Sequence, residues 1–303
     1  MNKKIKELYE EYQWLRITNS VEEYIEPNYY NKLLKDYIFD RKSDIDIFKD
    51  FLKSIDLDKE IYALELGCGT GRATNAFINS LGSADFNLEL VDLSERMLSF
   101  SKMEFSNYKN IKLFKSDSIE FIEKTKEVYD VIFSLWSFSH AVHQTLIKRS
   151  LYEGRMYVKS TIRKMVKENM AKSSKFFLIH FDSLSDEQKI LMRQWRKAFS
   201  IYNNLHLQSP SKRTIDETLQ ELRNEGIIKL RVRHLRGEAI TYYSVEEALK
   251  IFLNFHMETY FNKSLLLPNI INELKEYFKK FTDKNGKIMI KPGCFVYEVD
   301  KYE

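Results

Sequence analysis

The sequence predicts an α/β fold: a doubly wound, mostly parallel seven-stranded sheet with helical lid insertions. Two observations carry this. Short apolar runs alternate with segments whose apolar residues recur at helical spacing, and the connections between them are short. The first apolar run leads straight into a glycine-rich turn and then a helix, the opening unit of a parallel sheet that takes a ligand at its edge. Length and composition agree: 303 residues, 44% hydrophobic and 14% aromatic, supply one buried core with additions and are short for two full domains.

The N-terminal stretch is rich in aromatics (Tyr9, Tyr12, Trp14, Tyr24, Tyr29, Tyr30 and Tyr37) and is interrupted by Pro27. It reads as helices on either side of that proline, a helical cap over 1–42. From Ser43 onward Ile47, Phe48, Phe51, Leu52 and Ile55 recur at helical spacing and lead into the main domain, 43–303. Apolar runs predict strands over 61–66, 88–91, 111–114, 131–135 and 176–180. Between them lie helices over 72–81, 95–102 and 119–124, and one or two within 146–170. A long helix carrying Trp195 is predicted over 186–202, and a second over 214–224, closed by Gly226. The segment 186–226 reads as a lid insertion. A strand over 227–232, a helix over 245–260, a break at Pro268, a helix over 269–281 and a last strand over 287–299 complete the chain.

Composition excludes several classes. The net charge is only +4 with both signs interspersed, and no long basic block exists, so no nucleic-acid partner is expected. Two cysteines, Cys68 and Cys294, are too few for a disulfide framework and point to a reducing cytoplasm. No Cys/His cluster offers the roughly four ligands that zinc takes, so no metal is expected. The basic N-terminus runs into acidic residues without an apolar region, and no run of about 18 apolar residues occurs; neither a secretory leader nor a membrane span is expected. Oligomeric state is left open.

The chemistry is concentrated in Glu65-Leu66-Gly67-Cys68-Gly69-Thr70-Gly71, at the end of the first strand. Glycines there let the chain turn tightly and let a ligand approach main-chain atoms. A dinucleotide fingerprint would place Gly or Ala at its third position, where this chain has Arg72. Roughly 20 residues beyond the turn Asp92 ends the second strand, a position from which a carboxylate can accept from ribose hydroxyls. Ser116-Asp117-Ser118 follows the third strand, and Asp117 reads equally well as a helix cap.

This combination resembles the class I S-adenosylmethionine-dependent methyltransferases and their Rossmann-like fold, over about residues 60–182. The resemblance implies that Gly67, Gly69 and Gly71 cradle the methionine part of S-adenosyl-L-methionine and that Glu65 orients the loop and the ammonium. It implies that Asp92 holds the ribose and that Leu93 and Met97 flank the adenine. Asp117 and the Ser118 backbone would read the adenine edge. The run Tyr129-Asp130-Val131-Ile132-Phe133-Ser134-Leu135-Trp136-Ser137-Phe138-Ser139-His140 resembles the fourth strand and its exit, placing Ser134 at the cofactor and Trp136 at the substrate.

The fourth-strand exit, Ser134-Leu135-Trp136-Ser137, lacks the Asn/Asp-Pro-Pro-Tyr/Phe of base-amino methylases, the Pro-Cys of cytosine enzymes and the carboxylate of magnesium-dependent catechol enzymes. A small-molecule acceptor remains, methylated on N or O. His140 and His143 are the candidate proton acceptors, with His180 and Asp182 at the same sheet edge as further substrate contacts. The C-terminal layout is similar to that of histamine N-methyltransferase-like enzymes: an aromatic run over 252–261, then Pro268, then a helix. That likeness favours an amine or amino-acid-like substrate. Two alternatives stay open: methylation of protein or RNA, for which Arg231, Arg233, His234 and Arg236 form the one basic cluster, and a non-catalytic cofactor-binding regulator.

Overall fold

The computed structural model describes residues 3–16, 27–56, 59–203 and 207–302. Helices α1 (Lys3–Glu11) and α2 (Pro27–Leu34) flank a stretch, including Tyr24, that lies outside the described residues. A small hairpin follows, β1 (Ile38–Phe39) and β2 (Lys42–Ser43), which no periodicity predicts. Helix α3 (Asp44–Leu52) opens on a capping box: Ser43 accepts from the Asp46 N–H while the Asp46 carboxylate accepts from the Ser43 N–H.

The core alternates as expected. It runs β3 (Ile61–Leu66), α4 (Arg72–Leu81), β4 (Phe86–Asp92), α5 (Glu95–Glu104), β5 (Ile111–Lys115), α6 (Ser118–Lys124) and β6 (Tyr129–Leu135). Then come α7 (Phe138–Lys148), α8 (Leu151–Lys164), β7 (Met170–Phe181), α9 (Asp186–Trp195), α10 (Pro210–Asn224) and β8 (Ile228–Arg236). The chain closes with β9 (Ile240–Tyr242), α11 (Val245–Ile251), α12 (Leu267–Lys279), β10 (Ile288–Ile290) and β11 (Gly293–Lys301).

Seven strands form the central sheet in the order β5-β4-β3-β6-β7-β11-β8. β11 alone runs antiparallel to its neighbours. The chain leaves β3 on one side, through β4 and β5, and returns on the other at β6, so β3 and β6 flank the switch point where such sheets bind ligands. Alternate side chains serve two cores. On one face Phe133 packs 4.8 Å from Phe48 of α3 and 5.3 Å from Phe77 of α4, centroid to centroid, with Phe177 5.1 Å from Phe48. On the other, Leu64, Ile132 and Leu178 meet Val142, Val158 and Leu219 of α7, α8 and α10. Burial on both faces explains why these strands read as near-continuous apolar runs.

The structure departs from the expected elements elsewhere too: α7 begins at Phe138, ahead of residue 146, β9 is not among the expected elements, and four further differences have local reasons. α9 ends at Trp195, short of residue 202, where Trp195 and Phe199 turn in to pack on Tyr260. α10 starts at Pro210, before the expected residue 214, with Ser209 as its cap, and it packs on the sheet: Ile215, Leu219 and Leu222 are buried in the second core, and Glu217, Glu221 and Glu225 pair with Arg155, Lys159 and Arg163 of α8. The helix expected to reach residue 260 stops at Ile251 and widens into a π turn, Phe252–His256. The last strand is two: Pro292, which has no N–H to donate, separates β10, paired with β9, from β11. Among the described residues no helix is long and apolar enough to cross a membrane.

The aromatic core predicts a specific cost. Phe133 is fully buried between Phe48 and Phe77. Phe133→Ala should lower unfolding free energy by about 3–5 kcal/mol in a denaturant titration; a loss under about 1 kcal/mol would show that this face is not the packed core.

Candidate active site

A single cleft opens across the C-terminal ends of β3, β4 and β6, from Asp117 at one end to Trp195 and Glu258 at the other. The glycine turn forms its floor. The N–H groups of Gly67 and Cys68 donate to the Val91 carbonyl, at 2.7 and 3.0 Å, tying the loop to β4. Gly67 takes φ 78°, and a Cβ there would lie 1.8 Å from Ser137 Oγ. Nothing lies within 4 Å of the place a Cβ would take on Gly69, so a ligand can reach that backbone directly. Asp92 braces the loop: Oδ2 accepts from the Gly69 N–H and Oδ1 from the Ser94 N–H, both at 2.8 Å. The N-terminal segment comes over the loop through Thr70, whose hydroxyl donates to Asn31 Oδ1 at 2.6 Å, and Leu34 and Tyr37 line the cleft beyond it.

Leu93, Met97, Asp117 and Ser118 line the cleft beside Asp92. Asp117 is also the cap that its sequence context allowed. Its Oδ1 accepts from the N–H groups of Ile119 and Glu120, while Oδ2 takes no hydrogen bond from the described protein. Burial raises its carboxyl above the usual range.

The inner end is aromatic. Trp136 follows β6 in a left-handed conformation, φ 68°, and its indole N–H donates to Asp44 Oδ2 at 2.8 Å. Asp44 is fully buried and is also held by Arg72, at 2.7 and 3.2 Å. His140 is half-exposed, with Nδ1 3.2 Å from Glu258 Oε1. His143, one turn on, is enclosed by Trp195, Phe199 and Tyr202 and hydrogen-bonds to the Tyr202 hydroxyl. Burial, with some help from His140, pulls its pKa down to about 3, so it is a neutral hydrogen-bonding group and a weak base. His180 donates from Nδ1 to the Phe181 carbonyl at 2.7 Å, and burial lowers its pKa to about 4.

Four expected site residues stand behind the cleft wall. Glu65 points to α4, accepts from Thr74 at 2.5 Å and is pushed up to about 8 by burial. Gly71 packs on Phe105, whose ring would lie 2.4 Å from an added Cβ. Ser134 donates to the Leu66 carbonyl at 2.6 Å and accepts from the Phe138 N–H, joining β3 to α7. Asp182 turns to accept from Gln208, from the Leu184 N–H and from His234. Each also has a partner on another element that spacing does not reveal. Sequence reasoning missed Tyr37, Tyr202, His256 and Glu258, all of which line the cleft. For Glu258 a signal existed: it is the one carboxylate inside an aromatic run.

Residues 63–160 match a family described as a methyltransferase domain. No curated protein matches the sequence. Among solved structures the fold is similar to a loganic acid methyltransferase bound to SAH, at 8% identity, TM-score 0.57, covering 95% of this chain and 99% of that one. It is also similar to the YcgJ protein of Bacillus subtilis, at 14% identity and TM-score 0.50, covering 84% and 98%.

The depressed His143 predicts a pH effect. Below the ordinary value of 6.5 the unfolded chain binds a proton that the folded ring refuses, so this group costs stability as pH falls towards about 3. His143→Leu removes that term. The stability difference between variant and wild type should be constant above about pH 7.5 and shift in the variant's favour between about pH 6.5 and 4. A difference independent of pH, measured by denaturant titration, would mean the ring protonates freely in the folded state.

Proposed function

We infer that this chain, a class I S-adenosylmethionine-dependent methyltransferase, methylates a nitrogen or oxygen of a small molecule, with amines and amino-acid-like compounds favoured. The observation that carries the reading is the inner end of the cleft. Tyr37 from the N-terminal segment, His140 from α7, Met192 and Trp195 from α9, and Phe255 from the turn after α11 converge on it. These elements enclose a compact acceptor and exclude water from it. The N-terminal segment and residues 186–202 serve as the lid in this reading.

S-adenosylmethionine, when bound, supplies an activated methyl group and a neutral sulfide as leaving group. The residues present fit it. The open backbone at Gly69 admits a ligand at van der Waals distance, Asp92 offers carboxylate oxygens beside that loop, and Asp117 Oδ2 remains as an acceptor. The chain's own work is alignment and proton handling. An attacking nitrogen or oxygen must shed a proton, and His140, half-exposed beside Glu258, is the group we assign to receive it. His143 is assigned an orienting role, since burial keeps it neutral.

A polymer substrate is less well supported. The basic cluster on β8 is largely answered within the sheet: Arg231 and Arg233 reach Glu298 at 3.2 and 2.9 Å, and His234 reaches Asp182 at 2.7 Å. Both cysteines are buried and unpaired, which suits a cytoplasmic location.

The test is methyl transfer from labelled cofactor to separate pools of amines, amino acids, phenols, total RNA and protein. Label should appear in a small-molecule pool, and His140→Ala should lower turnover roughly 10²–10⁴-fold with cofactor affinity retained. Label confined to RNA or protein would overturn the reading.

A further inference from the structure

Glu258 is buried at the inner end of the cleft, 9% exposed. It stands just beyond the π turn, where the Met257 N–H donates back to the Phe252 carbonyl at 2.9 Å. Glu258 and Thr259 then take left-handed conformations, φ 51° and 55°, which side-chain-bearing residues adopt reluctantly and which aim the carboxylate's segment into the site. Among the described residues its carboxylate receives no hydrogen bond. The ionisable side chain beside it is His140, with Nδ1 at 3.2 Å. Burial raises the Glu258 carboxyl above its ordinary value, and Tyr202 lines the same cleft.

Carboxylates this far removed from bulk solvent nearly always have donors. The Glu258 side chain lines the cleft, so donors to its carboxylate come from what fills the cleft, solvent or substrate. The chemistry of that occupant is constrained on two sides. The carboxylate calls for positive charge and several N–H donors. Trp195 and Tyr202 line the same cleft, and aromatic rings attract a cation placed over them. A protonated amino group satisfies both. An alcohol brings one donor and no charge, and an anionic acid would be repelled.

We propose that Glu258 is the specificity residue of this site and that it pairs with the protonated amino group of the methyl acceptor, so that the substrates are small organic amines. This rests on the small-molecule reading above. The experiment is calorimetry on the full chain saturated with S-adenosylhomocysteine, using phenethylamine, phenethyl alcohol and phenylacetate as matched probes, together with labelled transfer to amine, phenol and acid pools.

Wild type should bind the amine at least about tenfold more tightly than the alcohol or acid, and transfer should favour the amine pool. Glu258→Gln should weaken the amine by about 10- to 100-fold, to the level of the alcohol, with S-adenosylhomocysteine affinity unchanged as proof of folding. Glu258→Asp should recover part of the amine preference. Equal binding of amine and alcohol, or an unchanged amine affinity in Glu258→Gln, overturns the proposal. Loss of S-adenosylhomocysteine affinity in Glu258→Gln, with Glu258→Asp folded and equally weak, assigns the carboxylate to the cofactor and also overturns it. Transfer to phenols or acids but to no amine overturns the proposal and leaves the small-molecule reading intact. Label in RNA or protein alone overturns both.

Discussion

The cleft depends on one close approach, that of Ser137 to Gly67. A single carbon added at residue 67 would lie 1.8 Å from Ser137 Oγ, so the loop after β3 and the start of α7 touch through a missing side chain. The contact sits at the switch point of the sheet, where the C-terminal ends of β3 and β6 lie side by side. Ser134 reinforces it from behind by bridging the Leu66 carbonyl and the Phe138 N–H. Asp92 holds the far side of the loop through the Gly69 N–H. A larger residue at position 67 would part the two strand ends and with them the two halves of the cleft.

Arg72, the residue that departs from dinucleotide spacing, has its own structural use. It opens α4 and pairs with Asp44 of α3, whose carboxylate also accepts from the Trp136 indole. A lone carboxylate buried this deeply would be unfavourable by several kcal/mol; two donors on separate elements offset that. The arrangement fixes Trp136 in its left-handed conformation, with its ring 5.8 Å from Tyr37 and 4.7 Å from Phe181. The helix behind the glycine loop, α3 and the aromatic end of the cleft are thus joined through one buried ion pair.

What the sequence made legible follows from the range of the interactions involved. The bounds of β3 and α4, the glycine turn and the helix cap at Asp117 are local features, and they stand where spacing put them. Glu65, Ser134 and Asp182 carry the right chemistry near the right place, but Thr74, Leu66 and His234 claim them from other elements. The π turn that presents Glu258 reads in sequence as plain helix, because its apolar residues keep helical spacing until the i+5 bond changes the phase. Within residues 186–226, α9 and α10 are both amphipathic, and only packing shows that α9 lines the cleft along its length while α10 meets it at Ser209 and Ser211 and otherwise packs on the sheet.

The two ends of the cleft therefore differ in kind. One is polar and built from backbone and carboxylates placed by the sheet; the other is aromatic and built by elements added around it. The account stands on the first end holding an adenosyl sulfur compound and not a dinucleotide. Titration calorimetry with S-adenosylhomocysteine and with NAD, on wild type and Asp92→Ala, measures this directly. S-adenosylhomocysteine should bind wild type at one site, NAD should not, and Asp92→Ala should weaken binding by about 1.5–3 kcal/mol. Tight NAD binding with no affinity for S-adenosylhomocysteine would contradict the account.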